Sequence, residues 1–270
     1  MGKFSGILLC SDLDDTLLTT DKRVSEENRD AIEYFKANGG IFTFATGRIP
    51  HGAKIIFKYI MPNAPMICFN GAGIYDFEKN SLIWNLKLHD DKVKVMEYVE
   101  KQCPFSGMEV CCKEKVYFCK MNKIVEEHKM HEWLPDRNAD YHDISEEWVK
   151  VLFIQEKDEV ELVRKVLAES EFNDRFDFIQ SSPFYYEMLP KDASKGNALL
   201  KLAHIMGIKN ENVIAAGDNE NDVSMIKSAG VGFAVKNAVP EALSAADIVT
   251  VDNNSHAIKA VIKWIEENKV

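Results

Sequence analysis

The 270-residue sequence lacks any uninterrupted apolar run of the roughly 18 residues that a membrane-spanning helix requires. Its first residues also lack the charged head, long apolar run and small-residue cleavage site of a secretory signal. Gly6 stands where the myristoylation pattern needs serine or threonine. We therefore expect a soluble, cytoplasmic protein without a membrane partner.

Paired cysteine motifs are also missing. The six cysteines lie at positions 10, 68, 103, 111, 112 and 119, and none has the CxxC spacing of a zinc site or a redox motif. The simplest interpretation is a set of reduced thiols packed inside an intracellular protein.

An excess of positive charge is absent as well. Lys and Arg total 33 against 43 Asp and Glu, which gives a formal net charge of −10. This balance disfavours a nucleic acid as partner. An acidic protein that binds phosphate must therefore concentrate positive charge, or a metal ion, at its site.

Both ends of the chain show short apolar runs that alternate with helical patterns. The predicted strands are 6–11, 41–45, 66–69, 213–216, 232–235 and 248–249, and the predicted helices are 25–38, 48 to about 59, 195–206, 221–229 and 255–267. This alternation is typical of a parallel sheet covered by helices. From about residue 82 to 188 the strands are of the alternating type, at 109–112, 116–120, 149–155, 176–180 and 185–188. We predict an α+β domain, 82–188, inserted into an α/β, Rossmann-like core made of 1–81 and 189–270.

Asp12 and Asp14 follow the first predicted strand. Residues two apart in an extended chain point to the same side, and open α/β sheets bind ligands at the carboxyl ends of their strands. Two such carboxylates can hold a hard cation, and one of them can attack phosphorus while the cation offsets the phosphate charge. A solvated acidic turn is the simpler alternative for this motif taken alone.

Three further clusters contain candidate site residues. Thr46, Gly47 and Arg48 follow the second strand and have the composition of a phosphate cradle, although an ordinary helix cap uses the same residues. Lys195 begins a helix, where it either neutralises phosphate or Asp12 or is a solvated surface charge. The segment GDNEND at 217–222 offers more oxygen ligands than a turn requires, which suits Mg²⁺, while a helix cap with an acidic first turn is the alternative.

All four clusters are predicted to lie at carboxyl ends of strands, and together they resemble the signature of the haloacid dehalogenase superfamily, specifically its Cof-type phosphatases. The matching segments are DLDDT at 12–16, ATGR at 45–48, FNGA at 69–72, SKGNAL at 194–199 and GDNEND at 217–222. The inserted domain, the cap, also has the position expected for that branch. One departure is Asp15, where Cof-type proteins more often carry glycine. Aspartate tolerates unusual turn conformations, so we expect it to fit, with some effect on loop geometry and charge.

The resemblance implies a magnesium-dependent phosphatase that acts on small phosphorylated metabolites, such as sugar phosphates, through an aspartyl phosphate. Asp12 would be the nucleophile and Asp14 the general acid and base. Mg²⁺ would be held by Asp12, the backbone carbonyl of Asp14, and Asp218. The phosphoryl group would be bound by the amides of Leu13 and Asn221 and by Thr46, Gly47 and Lys195, with Arg48, Asn70 and Asp222 as further candidates. The cap would close over the site and select the substrate.

Three alternatives remain beside this hypothesis. A phosphohexomutase is the nearest, since a related branch with the same kind of cap transfers phosphate within hexose phosphates. A receiver module is disfavoured by Asp14, by the distant GDNEND segment and by the cap. A catalytically silent phosphate binder is disfavoured because every motif position is filled. We expect a monomer or a small homo-oligomer.

Overall fold

The structure is a computed structural model that describes residues 2–131, 134 and 137–269. The chain divides into two compact units. The first comprises residues 1–48, 53–84 and 194–270, and the second comprises residues 49–52 and 85–193. Among the described residues, no helix combines the length and the apolar character needed to cross a membrane.

The N-terminal part of the chain alternates strands and helices. Its elements are β1 (Leu8–Ser11), α1 (Glu26–Ala37), β2 (Ile41–Phe44), α2 (Pro50–Ala53), β3 (Met66–Cys68), β4 (Gly73–Asp76) and β5 (Ser81–Asn85). The hydroxyl of Ser25 caps α1 by accepting a hydrogen bond from the amide of Asn28 at 3.2 Å. β3, β4 and β5 form a small sheet of their own.

In the middle of the chain, the described residues form a five-stranded antiparallel sheet and three α-helices. Its elements are α3 (Lys92–Gln102), β6 (Gly107–Cys112), β7 (Val116–Lys120), α4 (Lys123–His131), β8 (Trp148–Ile154), α5 (Val160–Ala168), β9 (Phe176–Ser182) and β10 (Tyr185–Pro190), and the strand order is β7-β6-β8-β10-β9. Alternate residues such as Met108, Val110 and Phe153 pack into one apolar core. The residues that alternate with these core positions in β8 and β10 include Lys150 and Glu187, which form a buried ion pair at 2.9 Å.

The C-terminal part completes the first unit. Its elements are α6 (Lys195–Ile205), β11 (Val213–Gly217), α7 (Val223–Ser228), β12 (Val231–Ala234), α8 (Pro240–Ala245), β13 (Ile248–Val249) and α9 (Ala257–Asn268). With β1 and β2 these strands form a parallel sheet of order β13-β12-β11-β1-β2, in which Leu8 lies between Val213 and Ile41. The predicted fold class, a Rossmann-like parallel core with an α+β cap domain, is confirmed.

Three local predictions differ from the structure. The segment after 69–72 contains two strands, β4 and β5, that the sequence analysis missed. The predicted helix from 48 to about 59 is one short helix, α2, followed by a 3₁₀ segment, Lys54–Lys58. The helix predicted to begin at 221 starts with the 3₁₀ turn Glu220–Asp222, because the side chain of Asn219 caps that turn by accepting from the amide of Glu220.

Candidate active site

Three of the four predicted clusters lie where strands of the parallel sheet end. Asp12 follows β1, and its amide donates to the carbonyl of Ala216 in the adjacent strand β11 at 2.9 Å. Thr46 follows β2, and Asp218 directly follows β11. Lys195 also follows a strand, since it begins α6 after β10, but β10 belongs to the antiparallel sheet, so the prediction that all four clusters lie along one sheet edge was wrong for Lys195.

Lys195 joins two of the acidic residues. Its ammonium donates to Asp12 Oδ1 at 2.7 Å and to Asp222 Oδ1 at 2.6 Å, and only 1% of the residue is exposed. Burial acts to lower the pKa of Lys195, but the carboxylates of Asp12 and Asp222 outweigh it and hold the pKa above its usual value. Lys195 is therefore a permanent buried cation, and the alternative of a solvated surface lysine is wrong.

The carboxylates of Asp12, Asp218 and Asp222 form a compact acidic group. One oxygen from each lies within 4.8 Å of the others. Burial raises the pKa of Asp12 well above its ordinary value, against the opposing effect of Lys195. Burial, with the nearby charge of Asp222, also raises the pKa of Asp218 to about 7. Three carboxyl groups thus lie around one buried ammonium, and a cation such as Mg²⁺, which prefers hard oxygen ligands, would favour their ionised forms.

Asp222 organises the turn after β11. Besides accepting from Lys195, its second oxygen accepts from the amides of Asp218 at 3.0 Å and Asn219 at 3.1 Å. Gly217 is needed here because a Cβ at that position would lie 2.5 Å from the Cβ of Asp222. The sequence analysis named Asp222 only as a further candidate and did not identify these contacts.

Asp14 is bound by two cations. Its carboxylate accepts from Arg48 Nε at 3.0 Å and Arg48 Nη2 at 3.1 Å, and Lys22 Nζ lies 3.3 Å from its Oδ1. Burial acts to raise the pKa of Asp14, but Arg48 and then Lys22 outweigh it and hold this pKa below its usual value. Among the described residues the acidic group does not include Asp14, so this carboxylate is positioned separately from that of Asp12.

Asp15 adopts the left-handed conformation, with φ 59° and ψ 11°. This is the kind of turn conformation that glycine usually occupies, and it agrees with the expectation that aspartate would fit. The carbonyl of Asp15 accepts from Asn237 Nδ2 at 2.8 Å, and its carboxylate lies 3.2 Å from Lys22 Nζ. Neither Lys22 nor Asn237 was a predicted site residue.

The remaining predicted residues lie in the same unit. Thr46 Oγ1 accepts from the amide of Arg48 at 3.1 Å, and Asn221 Nδ2 donates to Asn70 Oδ1 at 3.0 Å. Thr16, which the sequence analysis did not single out, donates to Asp218 Oδ1 at 2.9 Å. Its place in the DLDDT motif was the available signal.

A sequence profile of the haloacid dehalogenase-like hydrolases matches residues 9–262. The chain belongs to this family. The match confirms the resemblance inferred from the five motifs.

Two curated relatives of this haloacid dehalogenase-like hydrolase come from Bacillus subtilis strain 168. YxeH, named as a candidate phosphatase, is 31% identical over 266 residues, which are 94% of this chain and 96% of YxeH. YcsE, named as a 5-amino-6-(5-phospho-D-ribitylamino)uracil phosphatase, is 29% identical over 262 residues, covering 96% of this chain and 95% of YcsE. A crystal structure from Thermotoga maritima is similar with a TM-score of 0.81 at 29% identity, covering 96% of this chain and 97% of that one. The predicted enzyme class, a haloacid dehalogenase-like phosphatase, is confirmed, while the roles of individual residues stay predictions.

Proposed function

We propose that the protein is a magnesium-dependent phosphatase that hydrolyses small phosphorylated metabolites through an aspartyl phosphate on Asp12. The observation that carries the proposal is the buried ammonium of Lys195 between Asp12 and Asp222, beside the further carboxylate of Asp218. Attack on a phosphate dianion requires an ionised nucleophile beside positive charge. Because burial raises the pKa of Asp12, its ionised form depends on Lys195 and on the cation that this acidic group would hold.

In the first step, an oxygen of Asp12 forms a bond to phosphorus, the ester P–O bond breaks, and Asp14 gives its proton to the leaving alkoxide. In the second step, Asp14 removes a proton from water, and the hydroxide displaces Asp12 to release phosphate. The negative charge on the phosphoryl oxygens is stabilised by Lys195 together with Thr46, Gly47 and the amides of Leu13 and Asn221.

The contacts of Asp14 bear on its double role. A carboxylate paired with Arg48 and Lys22 is ionised, and this state suits the base of the second step. For the first step Asp14 has to carry a proton. Protonation is easier once Arg48 and Lys22 no longer contact its carboxylate. The substrate phosphate competes for the Arg48 guanidinium, because bidentate pairing suits phosphate as well as carboxylate.

Mg²⁺ fits the acidic group, since clustered carboxylates with raised pKa values gain most from a cation. Asp12, Asp218 and the backbone carbonyl of Asp14 would hold it, while Asp222 fixes the turn that carries Asp218. When bound, the ion supplies positive charge that neutralises these carboxylates and the phosphate oxygens. The inserted domain, predicted at residues 82–188, selects the substrate, and the protein works in the cytoplasm.

The test is phosphate release by the purified protein from sugar phosphates, nucleotides and phosphorylated ribityl compounds, the last because YcsE is named for such a substrate. We expect release that EDTA abolishes and MgCl₂ restores. Asp12→Asn should lose about 1,000-fold or more in kcat while remaining folded, because an amide of equal size cannot act as nucleophile. Wild-type release by Asp12→Asn would contradict the mechanism, and isomerisation of a hexose phosphate without release would favour the mutase.

A further inference from the structure

The turn that follows β3 has an unusual backbone. Phe69, Asn70 and Gly71 all have positive φ, at 53°, 54° and 95°. Glycine adopts this region freely and asparagine tolerates it, but it is an outlier for a bulky residue such as phenylalanine. Such a conformation persists only where surrounding contacts impose it, and these outliers concentrate at functional sites.

The turn is hydrogen-bonded along the loop that carries Thr46. The amide of Asn70 donates to the carbonyl of Thr46 at 3.1 Å, and the amide of Phe69 donates to that of Arg48 at 3.1 Å. Between them, a Cβ on Gly47 would lie 2.9 Å from both terminal atoms of the Asn70 side chain. The Asn70 amide group therefore lies directly against the backbone of Gly47.

The same turn reaches two other segments of the site. A Cβ on Gly71 would lie 2.1 Å from the carbonyl oxygen of Ser194, so the turn packs against the start of the helix that presents Lys195. Asn70 Oδ1 accepts from Asn221 Nδ2 at 3.0 Å. The other end of this amide, Asn221 Oδ1, is buried and has no hydrogen-bond partner among the described residues. Asn70 thus fixes the direction in which the Asn221 amide points.

We propose that Asn70 is a positioning residue that holds two loops, 46–48 and 219–222, in the arrangement that phosphoryl transfer requires, within a turn whose Gly71 packs against Ser194. This role rests on the proposed phosphatase function. Asn70 is 1% exposed, tolerates the left-handed backbone that the turn needs, and supplies a planar side chain that touches Gly47 on one side and Asn221 on another. Glycine in its place would keep the backbone and remove the contacts.

The experiment compares Asn70→Gly with Asn80→Gly, using p-nitrophenyl phosphate and MgCl₂. Asn80 is also a left-handed asparagine, with φ 49°, but it lies in the exposed turn between β4 and β5 and accepts from Tyr75 and Lys54. We expect Asn70→Gly to keep a thermal midpoint close to that of the wild type and to lose about 10- to 100-fold in kcat, with a smaller change in KM, because misplaced groups lower the rate of the reacting complex. Asn80→Gly should keep wild-type kcat.

A cycle with Asn221→Ala tests the proposed contact. If Asn70 acts partly through Asn221, the double variant loses less in kcat than the product of the two single losses. Asn70→Asp provides a second variant, since it keeps the acceptor oxygen and tolerates the backbone. We expect it to retain more kcat than Asn70→Gly but to raise KM, because the added charge repels phosphate. Wild-type kcat in Asn70→Gly would overturn the role of Asn70, and independent losses in the cycle would overturn its action on the 219–222 loop. An inactive wild type would instead overturn the proposed function.

Discussion

Each of the two units buries a lysine against a carboxylate, and the two sites differ in ways that separate chemistry from structure. Lys150 and Glu187 lie within neighbouring strands of the antiparallel sheet and form an ion pair at 2.9 Å, with the buried carboxylate of Glu109 also acting on Lys150. Lys195 lies at a helix start and contacts Asp12 and Asp222, with Asp218 close by. The carboxylates around Lys195 come from turns that follow two strands of the parallel sheet, whereas the Lys150 pair lies inside one sheet. A buried ion pair alone is therefore no sign of catalysis.

Replacement of each buried lysine by methionine should affect a different property of the protein. Lys195→Met should lower kcat about 1,000-fold, because a charge that stabilises the transition state is lost. Lys150→Met should keep kcat near that of the wild type but lower the free energy of unfolding by about 3–5 kcal/mol, because Glu187 is left buried without its cation. Phosphate release and denaturant unfolding measure the two effects.

Lys150→Met/Glu187→Leu provides the matched control for stability. Removing both charges should recover most of the lost free energy of unfolding, since an apolar pair of similar size can replace a buried ion pair. A large loss of kcat in Lys150→Met without loss of stability would show that the second unit takes part in the chemistry.

Replacing Asp14, whose carboxylate is paired with Arg48 and Lys22, tests whether it is the general acid and base. Asp14→Asn should slow hydrolysis of an alkyl phosphate by about 100- to 10,000-fold, because an alkoxide needs a proton to leave. Transfer from an aryl phosphate should slow far less, since a phenolate leaves unaided. Rapid mixing should then show a burst of phenolate near one per site, followed by a slow steady rate. Equal losses on both substrates, without a burst, would mean that Asp14 contributes charge alone.

The raised pKa of Asp218 predicts that stabilisation of the protein by Mg²⁺ depends on pH. In EDTA-treated protein, burial raises the pKa of Asp218 to about 7, above the value of about 3.9 in an unfolded chain. The folded state therefore binds the proton more tightly, and this contribution to stability is complete below about pH 4 and is lost as the pH rises through about 7. Mg²⁺ replaces the proton, so it should raise the thermal midpoint more at about pH 8 than at about pH 5.5. An equal rise at both values would contradict the metal role of this group.

Replacement of Asp15 should change the free energy of unfolding only slightly. Glycine at this position would relieve the strain of the left-handed backbone. It would also lose the contact with Lys22 and give the unfolded chain more conformational freedom. Because these effects oppose each other, Asp15→Gly should change the free energy of unfolding by less than about 1 kcal/mol. Denaturant unfolding measures this change. A loss of several kcal/mol would mean that the Asp15 carboxylate holds the loop in place.

The parallel sheet and the positions of Asp12, Thr46 and Asp218 were predictable because each depends on a short apolar run followed by a polar turn. Contacts between distant residues were not. Nothing near Arg48 in the sequence indicates that its partner is Asp14, 34 residues earlier. Lys22 contacts Asp14 only because the chain turns back at Lys22. β4 and β5 were missed because short strands next to a glycine-rich turn carry little periodicity.

The order of the strands has a consequence for synthesis on the ribosome. In the central ladder of the first unit Leu8 is paired with Ile41, which is close in sequence, and with Val213, which is far along the chain, so β1 gains its second partner late. Every strand of the antiparallel sheet, in contrast, lies between Gly107 and Pro190. Because translation proceeds from the N-terminus and closing a long loop is slow, the inserted sheet can complete its pairing first. Asp12 and its lysine partner, Lys195, would therefore meet only after the inserted sheet has been synthesised.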